Sequence, residues 1–312
     1  VSSGPAEGTV HRSGLVSFVG RPNTGKSTLM NALVGQKVAI TSSRPQTTRH
    51  TIRGVVGRPQ GQLVIVDTPG VHRPRTALGQ RLNDLVMTTL SQVDAVGFCV
   101  PADEATGPGD RFIAERLRDS VRGPVVAIVT KADRVGRDAL AARLAAVAEF
   151  SGQAGLPWAQ IVPVSASSGE NLEVLASVLI GLLPPGPPLY PDGETTDEPE
   201  LVLVAELIRE AILEEVDDEL PHSIAVVVDE MIPREDRPAD RPLTDVYASL
   251  FVERDSQKPI VLGRGGERLA RVGARSRRQI QRVLGTPVHL DLRVKVAKEW
   301  QRDAKQMRRL GF

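Results

Sequence analysis

Apolar residues follow two different patterns along this chain. In the first half, short, mainly apolar runs at residues 15–20, 63–67, 95–100, 125–130 and 161–164 alternate with longer stretches of helical spacing at 75–90, 107–121, 138–150 and 171–183. A run of this kind and length predicts a strand buried on both faces, and regular alternation with helices predicts a mostly parallel sheet with helices on both sides. Residues 51–56, followed by Gly57-Arg58-Pro59-Gln60-Gly61, predict a hairpin and one antiparallel edge strand. Leu183-Pro184-Pro185-Gly186-Pro187-Pro188 then stops the last helix and stiffens the connection, and residues 190–199 continue it as a polar, acidic linker. Beyond it the pattern predicts an acidic amphipathic helix at 200–220, strands at 223–230 and 245–254 around a Pro- and charge-rich loop at 232–242, and a basic helix at 267–284. A strand at 288–296 and a basic terminal helix from Lys298 follow. The apolar run at 258–262 leaves its secondary structure open. The expected organisation is a tail at 1–12, an α/β domain at 13–185, a linker at 186–199 and an α+β domain at 200–312.

Composition changes this picture in two places. A length of 312 residues is more than most single cores hold, in agreement with two domains. The net charge of +1 conceals a dipole in sequence: residues 194–220 carry eleven acidic residues and one basic residue, and residues 258–312 carry fifteen basic and four acidic. The basic part is a candidate nucleic-acid surface. A lone cysteine, Cys99, inside an apolar run predicts a buried small hydrophobe and fits a reducing cytosol. Residues 1–12 lack the apolar stretch of a signal peptide, and nowhere does the chain approach the ~20 apolar residues of a membrane span.

The chemistry begins at Gly20-Arg21-Pro22-Asn23-Thr24-Gly25-Lys26-Ser27-Thr28, a G-x-x-x-x-G-K-[ST] loop between a strand and a helix. Such a loop wraps its amides around phosphates at a helix N-terminus. Lys26 would neutralise the β- and γ-phosphates, and the Ser27 hydroxyl would ligate Mg²⁺. A Mg-nucleotide also needs an acidic residue at the end of a later strand, and Leu63-Val64-Ile65-Val66-Asp67-Thr68-Pro69-Gly70 supplies Asp67, with the Gly70 amide placed to sense the γ-phosphate. Base choice falls to Thr130-Lys131-Ala132-Asp133. The two acceptors of Asp133 match guanine N1–H and N2–H₂, whereas adenine presents an acceptor at N1. Lys131 would lie along the base, and amides at Ser165-Ala166 would meet guanine O6.

Together these motifs resemble those of translation-factor-class GTPases, and Arg44-Pro45-Gln46-Thr47-Thr48-Arg49-His50 with the C-terminal half resembles the Era family. That resemblance implies a P-loop GTPase domain with a mixed, mostly parallel six-stranded sheet, joined to a type II KH RNA-binding domain. It implies GTP/GDP and Mg²⁺ as ligands, Thr48 rather than Thr47 as the switch threonine completing the Mg²⁺ shell, and slow hydrolysis of GTP by water. It further implies binding to the 3′ end of 16S ribosomal RNA in small-subunit assembly, as a monomer in the cytoplasm. Contact with the inner face of the cell membrane is part of the same implication.

Two departures stand out. Thr130 replaces the Asn usual in this family, which predicts guanine binding weaker by about one neutral hydrogen bond, ~1 kcal/mol. Gly70 is followed by Val71 and His72, not by the Gln that orients water in Ras-like enzymes. His72, Arg73 and Arg75 remain secondary candidates. By resemblance, Asn23 would instead help hold a K⁺ ion beside the phosphates; the alternative is that it stabilises the loop itself.

In the second half, Val261-Leu262-Gly263-Arg264-Gly265-Gly266 matches the KH pattern of two apolar residues before G-x-x-G, a loop that clamps a single-stranded backbone. Arg264, Arg268, Arg271, Arg275, Arg278 and Arg282 recur at spacings of three and four and predict a basic stripe beside it. Aromatic residues make up 3% of the chain, so phosphate contacts and base edges must carry recognition more than stacking. The competing readings are an RNA-binding module whose nucleotide is a structural latch, and a nucleotide kinase on the same loop.

Overall fold

The computed structural model describes residues 10–42, 51–69, 77–216, 223–238 and 240–310. They form two bodies: one of residues 10–39, 51–69 and 80–197, the other of 40–42, 77–79 and 198–310.

The first body is built on strands β1 (Arg12–Val19), β2 (Ile52–Arg58), β3 (Gly61–Asp67), β4 (Ala95–Pro101), β5 (Val125–Thr130) and β6 (Trp158–Pro163). They lie in the order β2-β3-β1-β4-β5-β6, all parallel except the β2–β3 hairpin, as the alternation predicts. Every residue of β3, β4 and β5 is buried, which explains their mainly apolar runs. Side chains alternate between two cores. Ala95 and Cys99 pack toward α1 (Lys26–Val34) and α5 (Leu172–Leu182), while Val96, Phe98 and Val100 pack toward α2 (Ala77–Leu90), α3 (Pro108–Ser120) and α4 (Arg137–Ala154). On the second side Phe98 stacks on Trp158, with ring centroids 5.3 Å apart.

β1 begins at Arg12, not at residue 15, because Arg12 pairs with Gly61 and its guanidinium donates to Leu183 O at 2.6 Å. The Pro-rich connection is bound to the first sheet. Val55 N donates to Thr195 O (2.9 Å), Gln62 Oε1 accepts from Leu189 N and Tyr190 N (2.7 and 2.9 Å), and Arg53 pairs with Asp197 (2.8 Å). One backbone group of the edge strand β2, Val55 N, is thereby satisfied.

The second body carries β7 (Ala225–Pro233), β8 (Thr244–Val252) and β9 (Val288–Val296), with β7 antiparallel and β9 parallel to β8. A parallel neighbour requires a crossover, supplied by α7 (Lys258–Leu262), a glycine turn and α8 (Glu267–Leu284). Leu203, Val204, Leu207 and Ile208 of α6 (Glu200–Glu215) meet Val246, Ala248, Ile280 and Val288 in one core, which also takes in Ile40. Thr41 N donates to Glu210 Oε1 at 2.9 Å, and Glu210 Oε2 accepts from Gln279 at 2.9 Å.

Three expectations shift and one open reading is settled. Helix α6 ends at Glu215, before residue 220, with Val216 already extended, and residues 217–222 lie outside the described set. The strand expected at 223–230 runs from Ala225 to Pro233, across a register shift at Val228/Glu230. Residues 258–262, left open by their pattern, are helical, with Pro259 in the first turn. The terminal helix does not start at Lys298: Trp300–Arg302 form a 3-10 turn with Trp300 fully buried and its Nε1 on Ser223 O at 3.2 Å. Only then does Asp303 cap α9 (Ala304–Arg309) through Lys305 N and Gln306 N. Among the described residues no helix is long and apolar enough to cross a membrane.

Candidate functional site

Parallel strands deliver their carboxyl ends to one rim of the first sheet. There lie the turn after β1 (Gly20–Gly25), Asp67 at the end of β3, residues 102–107 after β4, Thr130–Asp133 at the end of β5, and Ser165–Ala166 after β6. The G-x-x-x-x-G-K-S segment forms the expected loop running into α1. Gly20 permits its close packing, since a Cβ there would come 2.5 Å from Cys99 O. Asn23 is exposed and holds φ +64°, a left-handed conformation that Asn tolerates better than most side chains.

Lys26 is buried and its Nζ donates to Gly20 O (3.2 Å) and Arg21 O (2.8 Å), so the ammonium caps the loop's own carbonyls. Burial pushes Lys26 below its ordinary value, with partial relief from nearby Asp67. An ammonium held this way gains from a strong anionic acceptor such as a phosphate. Ser27 Oγ donates to Asp67 Oδ2 at 2.7 Å, and Asp67 is fully buried. This hydroxyl–carboxylate pair is an all-oxygen donor set of the hardness Mg²⁺ prefers, so the residues fit the ion. Neighbouring Cys99 is buried and its thiol is pushed up to about 12 by burial, so it stays protonated and inert.

Thr130 is where the structure adds most to the sequence. Its hydroxyl donates to Thr24 O at 2.6 Å, so the end of β5 is tied directly to the loop after β1. Thr130 is thus tied to the loop through its hydroxyl and, unlike the usual Asn, has no side-chain amide. Next to it, Lys131 has φ +58° and its Nζ lies 3.9 Å from Asp103 and 3.7 Å from Glu104, carboxylates on the 102–107 segment. Asp133 is exposed and accepts from Ser167 Oγ at 3.0 Å, while Ser165 Oγ lies 3.0 Å from Ser167 Oγ. Hydrogen bonding from Ser165 first, and from Ser167, holds the Asp133 carboxyl below its ordinary value. Ala132 N donates to Val164 O (3.1 Å) and joins the Thr130–Asp133 turn to the Ser165–Ala166 turn. Ser167 was missed in the sequence, although it directly follows Ser165-Ala166. Thr48, Gly70, His72, Arg73 and Arg75 lie outside the described residues.

In the second body, Gly263, Gly265 and Gly266 have φ +73°, +59° and +85°, so the turn between α7 and α8 depends on glycine. At Gly263 a Cβ would meet Arg268 Cβ at 2.7 Å. The basic stripe is not continuous. Arg264 sits in the turn, where Gly265 breaks the helix, and α8 contributes the rest from Arg268 onward. Arg268 donates to Ile260 O. Arg271 pairs with Glu215 at 2.9 Å, and Arg275 pairs with Glu214. The acidic end of α6 thus neutralises part of the stripe, which spacing within α8 alone could not reveal. Arg264, Arg278 and Arg282 are exposed.

Comparison with known proteins agrees with this two-part arrangement. Residues 15–131 match the family of 50S ribosome-binding GTPases, and residues 219–301 match the KH domain family. The GTPase Era of Streptomyces coelicolor is 63% identical over 100% of this chain and 98% of its own length. The GTPase Era of Mycobacterium sp. strain KMS is 67% identical over 96% of this chain and 99% of its own. Among solved structures, a crystal structure of Era in complex with MgGDPNP and nucleotides 1506–1542 of 16S ribosomal RNA has a TM-score of 0.90 at 34% identity, covering 96% of this chain and 99% of that one. A point variant of Aquifex aeolicus Era bound to GDP·AlF₄⁻ has a TM-score of 0.88 at 33% identity, over 96% and 99% of the two chains. With a GTPase domain and a KH domain in this order, and this identity over almost its whole length, the chain belongs to the Era family of GTPases.

Proposed function

We propose that this GTPase hydrolyses GTP slowly and binds the 3′ end of 16S ribosomal RNA through its KH domain, assisting assembly of the small ribosomal subunit in the cytoplasm. The observation that carries the reading is the near-full-length likeness to an Era solved with both MgGDPNP and nucleotides 1506–1542 of that RNA. Gly20–Thr28 would cradle the phosphates, with Lys26 moving from the carbonyls of Gly20 and Arg21 to phosphate oxygens. Ser27, Asp67 and Thr48 would hold Mg²⁺, which when bound neutralises charge on the β- and γ-phosphate oxygens. Asp133 reads guanine N1–H and N2–H₂ as a carboxylate kept ionised by Ser165 and Ser167, and Lys131 and Ser165–Ala166 close around the base. Asn23, exposed on the loop's rim, would hold K⁺ beside the phosphates, where an added positive charge opposes the charge that develops during transfer to water. The Gly263–Gly266 turn with Arg264 and Arg268 would clamp the RNA backbone, and RNA phosphates would displace Glu215 and Glu214 from Arg271 and Arg275.

Multiple-turnover phosphate release from GTP, with and without an RNA of the 16S 3′-end sequence, separates this reading from a structural latch. Repeated turnover, faster in K⁺ than in Na⁺, is expected. A single turnover per protein would refute the enzymatic part, and equal rates in the two salts would refute the role of Asn23.

A further inference from the structure

Arg21 is the first variable residue of the phosphate loop, yet its side chain turns away from the cradle. Its Nε donates to Asp110 Oδ1 at 2.9 Å, and its Nη2 lies 3.1 Å from Glu104 Oε2. Asp110 is fully buried, and its other oxygen accepts from Gly107 N at 2.8 Å, capping α3. The stem of Arg21 lies across Gly109, where a Cβ would come 2.8 Å from Arg21 Cδ; any larger residue there would displace the guanidinium. The segment that offers these carboxylates is itself fixed from behind. Arg143, buried on α4, donates to Pro101 O at 3.1 Å and Thr106 Oγ1 at 2.8 Å, at the two ends of the turn. The same turn presents Glu104 and Asp103 to Lys131. Arg21 O, in turn, is the carbonyl that accepts from both Lys26 Nζ (2.8 Å) and Thr24 Oγ1 (3.0 Å).

We infer that Asp110 is a positioning residue for the phosphate loop. Through Arg21 it sets the loop backbone that aims amides and Lys26 at the β-phosphate, and it does so from outside the nucleotide site. A half-buried guanidinium on a fully buried carboxylate is a strong, directional anchor. A loop with left-handed backbone at Asn23 and Gly25 needs such an anchor to hold its shape before ligand arrives. Asp110, unlike Glu104, has no contact with Lys131 among the described residues, and the base-reading turn has its own tie to the loop through Thr130, so the Asp110–Arg21 pair acts on the phosphate end.

This inference rests on the nucleotide reading of the same loop, and its test keeps the two apart. Affinities for GDP and for GMP, which lacks the β-phosphate, are measured by displacement of a fluorescent GDP analogue from wild type, Asp110→Asn, Arg21→Ala, Arg21→Lys and the Asp110→Asn/Arg21→Ala double variant. GDP binding by wild type establishes the site; its failure would sink the nucleotide reading itself. Asp110→Asn and Arg21→Ala are each expected to lose about tenfold in GDP affinity with GMP unchanged, the double variant no more than either alone, and Arg21→Lys to recover part of the loss. A variant at buried Asp110 also tests stability, so Arg21→Ala, at a half-exposed position, carries the result independently. Equal losses for GDP and GMP, or fully additive losses in the double variant, would overturn the inference, as would unchanged GDP affinity in Arg21→Ala.

Discussion

At the scale of single residues, Thr130 makes a contact that its place in the motif did not reveal. Its 2.6 Å bond to Thr24 O keeps the phosphate loop fastened to the base-reading turn. Thr130→Val, nearly isosteric, deletes that bond, at a cost of about 1–3 kcal/mol of stability, and should weaken GDP binding as the loop loosens. Thr130→Asn should improve on wild type by no more than about tenfold, the worth of one added neutral hydrogen bond. Equilibrium titration of both variants checks the pair. On the proposed reading, Asp133 would carry selectivity by matching donors with acceptors. Asp133→Asn, which offers one donor and one acceptor, should weaken GDP by about a hundredfold or more and favour xanthosine diphosphate, whose N1–H and C2 carbonyl match it. These residues were legible because each sits in a short motif with fixed chemistry. Asp110, Glu104 and Ser167 were not: their roles depend on contacts between segments far apart in sequence.

The pH response belongs to the same turn. Asp133 is held below its ordinary value, near ~4, by Ser165 and Ser167. For a depressed carboxyl, the contribution is complete above the unfolded value and is lost only as pH falls through the lower folded one. The part of GDP affinity that depends on an ionised Asp133 should therefore be lost only on the acid side, as pH falls through that lowered value. Ser165→Ala should move its acid limb upward, and a limb that stays in place would contradict the assignment.

At the scale of elements, the parallel strands could be read from their mainly apolar runs because they are buried on both faces. The α7–turn–α8 segment could be read only in part. Its glycines were visible, but five residues of apolar run cannot distinguish strand from helix, and the choice is made by Pro259 and by packing of Val261 against the second sheet. Likewise, a charge count along 298–312 predicts a basic helix yet cannot see that Trp300 must be buried first. Gly265, at φ +59°, has no atom within 4 Å of the place a Cβ would take, and so offers a clean variant. Gly265→Asp should cost about 1 kcal/mol of stability for the left-handed backbone, and it places a carboxylate where a phosphate would lie. RNA affinity, measured by filter binding, should fall at least tenfold while GDP affinity and circular dichroism are unchanged.

At the scale of the whole molecule, a net charge of +1 hides an acidic stretch and a basic stretch, and the two partly neutralise each other through Glu214, Glu215, Arg271 and Arg275. Replacing both glutamates by glutamine should free those arginines, tighten RNA binding several-fold and steepen its salt dependence. The central claim, that one chain joins a guanine-nucleotide site to recognition of a particular RNA end, is tested most directly by crosslinking the protein to RNA in growing cells and mapping the bound positions. The account predicts reads concentrated at the 3′ end of 16S ribosomal RNA in wild type and lost from it in Gly265→Asp. Reads concentrated on other RNAs, or a 16S 3′-end signal unaffected by Gly265→Asp, would contradict it.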